Sequence, residues 1–380
     1  MRRRHASTAT ATNTPQDAAV PPDGDAVVTP PDERTKSLRV LITIQHPAHV
    51  HFYRPVIAEL RADGHDVRVC TRDKDIATDL LDAFSIEHRV LAGTGDSTIG
   101  RIGVQAAYEL RLLALARRYR PDVVTAIGGV AAAHVATLVG AKSVVLTDSE
   151  PATLTNRLAF PFADVICTPA WYDGDIGGRH VRYEGLHELA YLHPDRFEPD
   201  PDVVRAAGIE PTDPYSVVRF VSWGAQHDVG EGGLSRAGKE AIVETLAAAG
   251  DVYITAEEPL EPPLDQYRLP IDPEDMHHLL AFAQAYVGDS QTMATEAALL
   301  GTPAIRCNSF AGDDDMANFR LLADYGLVFS TDDEEQAREH VEAVLSSADP
   351  TVWQRRREAF VDETIDVASF IRDVLVAVGV

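Results

Sequence analysis

The stretch YVGDSQTMATEAALLGTPAI, from Tyr286 to Ile305, contains a complete strand–helix–strand unit. A short apolar strand ends at Gly288, and the small polar residues after it are typical of a helix start. An Ala- and Leu-rich helix follows, and Gly301-Thr302-Pro303 turns the chain into the next strand. The unit predicts parallel strands joined by a helix, which is the building block of an α/β sheet.

The same alternation of strand and helix runs through both halves of the chain. Apolar runs that look buried on both faces predict strands at 38–44, 66–70, 122–127, 143–147 and 164–168, and then at 215–222, 251–255, 285–288, 303–307 and 327–329. Helices are predicted at 50–62, 74–83, 102–119 and 130–139, and then at 234–249, 273–284, 291–300, 316–325 and 333–347. We therefore predict an α/β fold with two doubly wound, Rossmann-like domains and a cleft between them.

Changes in composition indicate where these domains begin and end. Residues 1–37 are rich in Ala, Thr, Pro and Asp, and they predict a disordered tail. The N-terminal domain is expected at 38–192, followed by an acidic, Pro-rich linker at 193–214. The C-terminal domain is expected at 215–347, and amphipathic helices at 348–380.

The charge of the chain argues against some classes of partner. It has 34 basic and 59 acidic residues, a formal net charge of −25, and only four lysines. Such a chain offers no general basic surface for nucleic acid or anionic lipid. The scarcity of lysine favours a halophilic protein of a salt-rich cytosol, because salt screens the repulsion between carboxylates. An ordinary acidic protein is the alternative.

Cysteines and apolar runs bear on the cellular compartment. The three cysteines lie far apart and form no C-x-x-C pair, which favours a reducing compartment. No apolar run approaches the ~18–20 residues that span a bilayer. We expect a cytoplasmic protein with no stable membrane span and no cofactor. Arginines in and beside helix 102–119 form a local basic stretch, so peripheral attachment at the inner face of the membrane stays open.

Three histidines follow the first predicted strand, in the run Gln45-His46-Pro47-Ala48-His49-Val50-His51. An imidazole titrates near neutral pH and can act as a general base toward a hydroxyl. His49 is the first candidate for a catalytic base because it lies at the predicted turn into the helix, and His46 is the second. The alternative is that one or two of these imidazoles cap the helix or pack in the core. Their spacing does not resemble a zinc motif, so no metal is predicted.

Polar residues also follow other predicted strands. Asp148, in Thr147-Asp148-Ser149-Glu150, is a candidate catalytic carboxylate, and Asn156-Arg157 on the next helix is a weaker candidate of the same kind. Ser222 and Gly224, in the loop after the first strand of the second half, can present backbone N–H groups to an anion. The alternatives are a solvated carboxylate and a plain loop.

The strongest candidate site is the start of helix 291–300. Ser290, Gln291 and Thr292 lie where free backbone N–H groups and the positive end of the helix dipole favour a phosphate. Glu296 lies about one and a half turns further in, where a carboxylate can bind ribose hydroxyls as in dinucleotide folds. Plain Ser/Thr capping with a surface glutamate is the alternative.

His277 and Arg306 complete the candidate set. His277 is placed to line the same cleft, and Arg306, at the end of the following strand, is a candidate for binding a diphosphate. The alternative for Arg306 is an ion pair with one of the aspartates at 313–315. Three adjacent aspartates also suggest magnesium, but acidic loops are common in this chain and we predict no metal site there.

The order of these motifs resembles that of GT-B glycosyltransferases, and more narrowly that of the family called domain of unknown function 354. The resemblance covers about 38–345. It rests on Asn156 and on five segments, His46–Phe52, Asp148–Glu150, Tyr183–Leu192, Ser222–Asp228 and 288–303.

The resemblance implies an N-terminal domain for the acceptor and a C-terminal domain for a nucleotide-sugar donor. In GT-B enzymes similar to the undecaprenyl-linked muramyl-peptide transferase, the helix that matches 290–300 holds the diphosphate. The residue that matches Glu296 holds the ribose, and the base lies in the loop that matches 46–51. That loop is glycine-rich in the transferase, whereas here it is rich in His and Pro.

The leading hypothesis is a metal-independent glycosyltransferase of the hexosyl type. It would transfer a sugar from a nucleotide-diphosphate sugar, UDP-linked in the first instance, to an unknown hydroxyl acceptor, with a lipid-linked acceptor of surface glycan synthesis left open. One alternative is an isomerase like UDP-N-acetylglucosamine 2-epimerase, although the Gly-Thr-Arg-Pro-Glu opening of such epimerases is missing here. The other is a non-catalytic protein that binds nucleotide sugars.

Overall fold

Two parallel β-sheets, each flanked by helices, carry the fold. The computed structural model describes residues 37–380 except 74–75, 94–97, 221–233, 257–258, 310, 313–314 and 350, and only the backbone of 98–102. The predicted tail at 1–37 therefore lies almost entirely outside the described residues. The two sheets belong to one compact unit of the chain.

The first sheet has seven strands in the order β3-β2-β1-β4-β5-β6-β7. The strands are β1 (Arg39–Ile44), β2 (Asp66–Arg72), β3 (His88–Ala92), β4 (Val123–Ile127), β5 (Lys142–Leu146), β6 (Val165–Pro169) and β7 (His180–Tyr183). Every neighbouring pair in this sheet is parallel.

Helices cover both faces of this sheet. The helices in this part of the chain are α1 (Pro47–Ala62), α2 (Ala77–Ala83), α3 (Thr98–Tyr119), α4 (Val130–Val139), α5 (Thr153–Ala159), α6 (Leu189–Leu192) and, beyond the sheet, α7 (Pro201–Ala206). Along β1, Val40, Ile42 and Ile44 belong to the core that includes α1. Leu41, between them, belongs to the core formed with α3 and α4. Successive side chains thus enter opposite helix layers, which is why the strand is apolar throughout.

The second sheet has five strands in the order β12-β11-β10-β8-β9, again with parallel neighbours. The strands are β8 (Tyr215–Phe220), β9 (Asp251–Ala256), β10 (Ala285–Gly288), β11 (Ala304–Cys307) and β12 (Val328–Thr331). The later helices are α8 (Arg236–Ala247), α9 (Met276–Phe282), α10 (Gln291–Leu300), α11 (Ala317–Asp324), α12 (Glu334–Leu345), α13 (Thr351–Val361) and α14 (Val367–Gly379).

The predicted α/β class with two doubly wound sheets is confirmed. Two strands, β3 and β7, were not predicted, and both lie at edges of the first sheet. Three of the five residues of β3, and all of β7 except Tyr183, are partly or fully exposed. Edge strands therefore lack the apolar run of a strand buried on both faces. The segment predicted as a linker contains α7, whose Val204 is buried.

The last helix returns to the first domain. The predicted amphipathic helices are α13 and α14. Gly379 of α14 lies against Leu38 and Val123 of the first domain. Arg196, beyond the first sheet, binds Glu59 of α1 and Asp366, the N-cap residue of α14. The chain thus crosses between the domains twice, first in the segment that contains Arg196 and again before α14. The guanidinium of Arg196 joins these two crossings.

Candidate functional site

The candidate residues follow the strands at which the order of each sheet reverses. In the first sheet the order reverses between β1 and β4, and His46 and His49 follow β1. In the second sheet it reverses between β8 and β10, and Ser290 follows β10. Such points leave a crevice beyond the carboxyl ends of the strands, where ligands of open α/β sheets bind. The described residues of the loop after β8 do not include Ser222 and Gly224, so both calls stay predictions.

The three histidines after β1 have three different environments. The Nδ1 of His46 accepts a hydrogen bond from the Ala48 N–H at 3.2 Å, so this residue caps α1, and its ring is exposed. His49 is partly buried, with its ring centroid 5.7 Å from that of His46. His51 is buried, and burial, His277 and Arg54 together hold its pKa well below the usual value. His46 thus caps the helix and His51 packs in the core, which is the alternative that the sequence left open for two of the three imidazoles.

Asp148, two residues beyond β5, is paired with a histidine that was not predicted. The Nδ1 of His187 lies 3.3 Å from the Asp148 carboxylate. Burial acts to raise the pKa of Asp148, but the charge and hydrogen bond of His187, with a contribution from His49, bring it below its usual value. Asp148 therefore stays ionised at neutral pH, with the His187 imidazole beside it.

His187 is itself almost fully buried. Its ring packs edge-on against Phe52, with centroids 5.1 Å apart, and stacks on Tyr183 at 6.3 Å. Its second nitrogen, Nε2, is buried without a partner among the described residues. Packing on two sides and the bond to Asp148 fix the ring in one orientation.

Glu188, next to His187, is a buried acidic residue with a perturbed pKa. It is buried, and its pKa is raised well above the usual value, first by burial, then by the charge of Asp148, and also by Glu296. The carboxylates of Asp148 and Glu296 thus both lie close enough to Glu188 to disfavour its ionised form. The charges of both carboxylates therefore favour the protonated form of Glu188.

The start of α10 has the geometry that the sequence predicts. The helix spans Gln291–Leu300, and the Ser290 hydroxyl accepts a hydrogen bond from the Met293 N–H at 3.4 Å. A Cβ on Gly288 would lie 2.5 Å from the Arg219 carbonyl oxygen, so only glycine fits at this close approach of β10 to β8. Ser290, Gln291 and Thr292 are partly buried at the first turn, where N–H groups lack intrahelical partners. Capping by Ser290 occurs, and anion binding there stays a prediction.

Glu296 is buried at the junction of the domains. Its Oε1 accepts a hydrogen bond from the Tyr191 hydroxyl at 2.7 Å and lies 2.9 Å from the Nε2 of His277. The rings of His51 and His277 pack edge-on with centroids 4.6 Å apart, and Tyr191 lies beside both. Glu296 is therefore not the surface glutamate of the structural alternative. Both bonds reach Oε1, so Oε2 has no partner among the residues that the structure describes.

Arg306 has a structural partner. Its guanidinium is fully buried, forms an ion pair with Asp315 and lies 3.7 Å from the centroid of the Phe319 ring. This is the pairing that the sequence left as the alternative to a diphosphate. Asp313 and Asp314 lie outside the described residues.

Sequence reasoning missed the contribution of His187, Glu188 and Tyr191. All three belong to the segment Leu186–Leu192, and the sequence used it only as part of the family resemblance. The signal was available: two ionisable residues interrupt an otherwise apolar, buried run. Burying such groups is costly unless they are paired, so they indicate a site.

The described residues contain neither a cluster of metal-binding side chains nor a membrane-spanning helix. There, no three His, Cys, Asp or Glu side chains are grouped so that they would hold a metal ion. No described helix is long and apolar enough to cross a membrane.

A family model described as a protein of unknown function, DUF354, matches residues 38–367. The chain belongs to this family. An uncharacterized protein of Methanocaldococcus jannaschii, MJ0665, is 24% identical over 284 residues, which cover 71% of this chain and 82% of that protein. The family predicted from the sequence is confirmed, and neither description assigns an activity.

Solved structures of similar fold belong to two kinds of enzyme. The spinosyn forosaminyltransferase SpnP has a TM-score of 0.61 and 17% identity, over 90% of this chain and all of that one. UDP-N-acetylglucosamine 2-epimerase from Rickettsia bellii has a TM-score of 0.62 and 15% identity, over 90% of this chain and 97% of that one. At such identities the likeness concerns the fold, which is GT-B-like.

Proposed function

We propose that this DUF354 protein is a metal-independent glycosyltransferase that uses a nucleotide-diphosphate sugar, UDP-linked in the first instance. The observation that carries the proposal is the convergence at the domain junction. There, the buried Glu296 of α10 accepts a hydrogen bond from the Tyr191 hydroxyl of α6 at 2.7 Å and lies 2.9 Å from the Nε2 of His277. A donor held at α10 would thus lie opposite the ionisable groups of the first domain.

The donor would bind at the start of α10. The N–H groups of the first turn, with Ser290, Gln291 and Thr292, would hold the diphosphate through the positive end of the helix dipole. Glu296 would accept hydrogen bonds from ribose hydroxyls at Oε2, while Tyr191 and His277 hold Oε1. Ser222 and Gly224, which lie outside the described residues, are proposed to add backbone N–H donors from the loop after β8. Arg306 is left out of this arrangement because Asp315 already pairs with it.

The acceptor would be activated by His49. His49 is more accessible than His187, and Asp148 beside it stays ionised because of His187. An ionised carboxylate stabilises the imidazolium that forms when His49 takes a proton. His46 is the second choice, because its Nδ1 is engaged at the cap of α1.

The proposed reaction forms one bond and breaks one. The acceptor hydroxyl oxygen bonds to the anomeric carbon of the donor sugar, and its proton passes to His49. The bond between that carbon and the diphosphate oxygen breaks, and the electron pair leaves with the nucleoside diphosphate. The donors at α10 stabilise the charge that develops on this leaving group, in the place where other enzymes use a metal.

Donor binding is tested by titrating the full chain in molar KCl with UDP, GDP, dTDP and their common sugars. A ligand that binds the native state raises the melting temperature as its concentration increases. We expect stabilisation by one nucleotide and its sugar conjugate, and at least tenfold weaker binding in Glu296→Gln. Glu87→Gln, the same change at an exposed position, is the control and is expected to bind normally. Unchanged affinity in Glu296→Gln would contradict the donor site.

An epimerase of the UDP-N-acetylglucosamine 2-epimerase type is the second candidate function. The observation that favours it is Glu188, whose raised pKa beside the ionised Asp148 suits proton transfer at a sugar carbon. Incubation with UDP-N-acetylglucosamine in D2O separates the two candidates. Epimerisation at C2 incorporates deuterium there, whereas transfer leaves the C2 hydrogen in place. Nucleotide affinity without turnover of any sugar would favour a non-catalytic binding protein.

We also propose a reducing, cytoplasmic location. Cys70, Cys167 and Cys307 are buried and unpaired, and burial raises the pKa of the Cys70 and Cys167 thiols to about 12. Thiols of this kind are unreactive core residues. Labelling of the native protein by a thiol reagent is expected to be negligible until the chain unfolds.

A further inference from the structure

A cavity of about 790 Å³ lies at the carboxyl ends of β5 and β6. Its walls come from Glu150, from α5 and the 3-10 turn after it, and from the segment 172–179. The volume lies in the range of about 300–1,000 Å³ that is typical of small-molecule sites. Asp148 is only two residues from Glu150 and contributes to the raised pKa of Glu150, so the cavity adjoins the groups proposed to activate the acceptor.

Two guanidinium groups on the cavity wall have no carboxylate partner among the described residues. Arg157 is exposed and makes no hydrogen bond or ion pair there, and Arg179 donates only to the carbonyl oxygens of Pro161 and Ala163. Two of the three carboxylates of the wall are engaged: Asp173 pairs with Arg320, and Asp175 accepts the Gly177 N–H.

Glu150 and Asn156 complete the polar part of the wall. The Oε1 of Glu150 accepts a hydrogen bond from the Asp173 N–H at 3.2 Å, whereas its Oε2 is buried without a partner among the described residues. The Asn156 amide donates to the Ser149 carbonyl oxygen and the Tyr172 hydroxyl, both at 3.2 Å, and so fixes the cavity wall. If the Glu150 side chain turns toward the cavity, this oxygen without a donor is suited to a ligand hydroxyl.

We propose that this cavity binds the acceptor, and that the acceptor is a polyol bearing a phosphate, with a hydroxyl at Glu150 and the phosphate at Arg157. The planar fork of arginine matches an oxyanion in two parallel hydrogen bonds, which gives orientation as well as affinity. The inference rests on the proposed transferase function, because a transferase needs an acceptor as its second substrate in addition to the sugar donor.

The phosphate has two possible sources, a free sugar phosphate or the headgroup of a lipid. The outer side of the same segment carries three exposed apolar side chains, Leu154, Leu158 and Phe162, at spacings of four residues. A lipid headgroup in the cavity would leave its chains beside them. The experiment therefore has a soluble arm and a vesicle arm.

In the soluble arm, the full chain is saturated with UDP, so that the donor site is filled, and titrated with myo-inositol 1-phosphate and with myo-inositol. The KCl concentration is the lowest that keeps the protein folded, because salt screens anion binding. We expect the phosphate alone to bind, and Arg157→Gln to weaken it about tenfold or more. Arg118→Gln, which removes an exposed arginine of α3 outside this cavity, is the matched control and is expected to bind normally. Hydrogen exchange should show protection at 149–157 and 172–179.

In the vesicle arm, cosedimentation is measured with phosphatidylcholine vesicles that contain or lack phosphatidylinositol. Binding that needs the inositol lipid and falls in both Arg157→Gln and Leu154→Ser identifies the lipid source. Binding in the soluble arm alone identifies a free polyol phosphate.

Two results overturn the proposal: no binding in either arm, or binding that Arg157→Gln and Arg118→Gln change equally. If UDP still stabilises the protein in that case, the donor site stands and only the acceptor assignment fails. If UDP does not bind either, the proposed function fails as well.

Discussion

Replacing Tyr191 by phenylalanine tests whether the domain junction depends on the bond to Glu296. Tyr191 is 3% exposed and Glu296 is 4% exposed, and the hydroxyl donates to the carboxylate at 2.7 Å. Phenylalanine keeps the ring that packs beside His51 and His277 but leaves the carboxylate with the histidine alone. The variant therefore removes one donor from a buried acceptor and changes little else.

The expected loss follows from the kind of bond. A hydrogen bond to a charged group contributes about 1.5–3 kcal/mol, and a buried acceptor that loses its donor also keeps its desolvation cost. We expect a loss of about 2 kcal/mol in the free energy of unfolding. For 380 residues at about 2.1 cal/mol/K each, the unfolding entropy is about 0.8 kcal/mol/K, so the melting temperature should fall by about 2–3 °C.

The assay is thermal and urea unfolding in molar KCl, beside a control that makes the same chemical change. In Tyr325→Phe, a hydroxyl that donates to Glu363 at 2.8 Å on the surface is lost, and the expected effect is under about 0.5 kcal/mol. A double-mutant cycle with Glu296→Gln isolates the pairwise energy. If Tyr191→Phe is as mild as Tyr325→Phe, or if the cycle shows no coupling, Glu296 is not held by Tyr191 and the account of the junction is wrong.

Three further predictions concern titration, packing and salt. His51 has a depressed pKa in the folded state, so its contribution to the free energy of unfolding is fully present above its unfolded pKa of about 6.5. This contribution is lost as the pH falls toward the pKa of the folded state. Between pH 8 and pH 5, the melting temperature should therefore fall less steeply in His51→Gln than in the unmodified protein. Gly288→Ala should cost about 1–3 kcal/mol because its Cβ would meet the Arg219 carbonyl oxygen at 2.5 Å, whereas Gly93→Ala, with open space around it, should be nearly neutral in the same unfolding assay. With a net charge of −25, the protein should melt at a higher temperature in 2 M than in 0.1 M KCl, and an unchanged value would argue for an ordinary acidic protein.

Local signals made the second domain readable from its sequence. Helix α10 begins and ends where the sequence predicts, because Ser290 caps its start and Gly301, at φ +82°, closes its end. Both features act within four residues of the helix ends. The strands β3 and β7 were not predicted because they lack such a local signal. Edge strands bury only part of their surface and show no continuous apolar run.

The partners of the candidate residues depend on distant segments, and no local pattern announces them. Glu296 meets Tyr191, which lies 105 positions earlier, and Asp148 meets His187. The sequence around Glu296 is equally compatible with a glutamate that binds ribose and with a surface glutamate. Only the packing of α6 against α10 shows that Glu296 is buried. Arg306 shows the reverse case: the sequence suggested that it binds a diphosphate, but its guanidinium forms an ion pair with Asp315.

The double crossing between the domains bears on how such a site would open and close. Arg196 joins Glu59, Asp366 and Ser369, and the Ile365 N–H donates to the Glu184 carbonyl oxygen at 2.8 Å. The two crossings thus lie side by side and are bonded to each other. Two adjacent connections of this kind are suited to hinge motion between the domains. Glu296 is held by Tyr191, which immediately precedes the first crossing, so a nucleotide at the proposed donor site would act on the junction close to the hinge. We therefore expect donor binding and domain closure to be linked through the Tyr191–Glu296 bond rather than through the distant sheet edges.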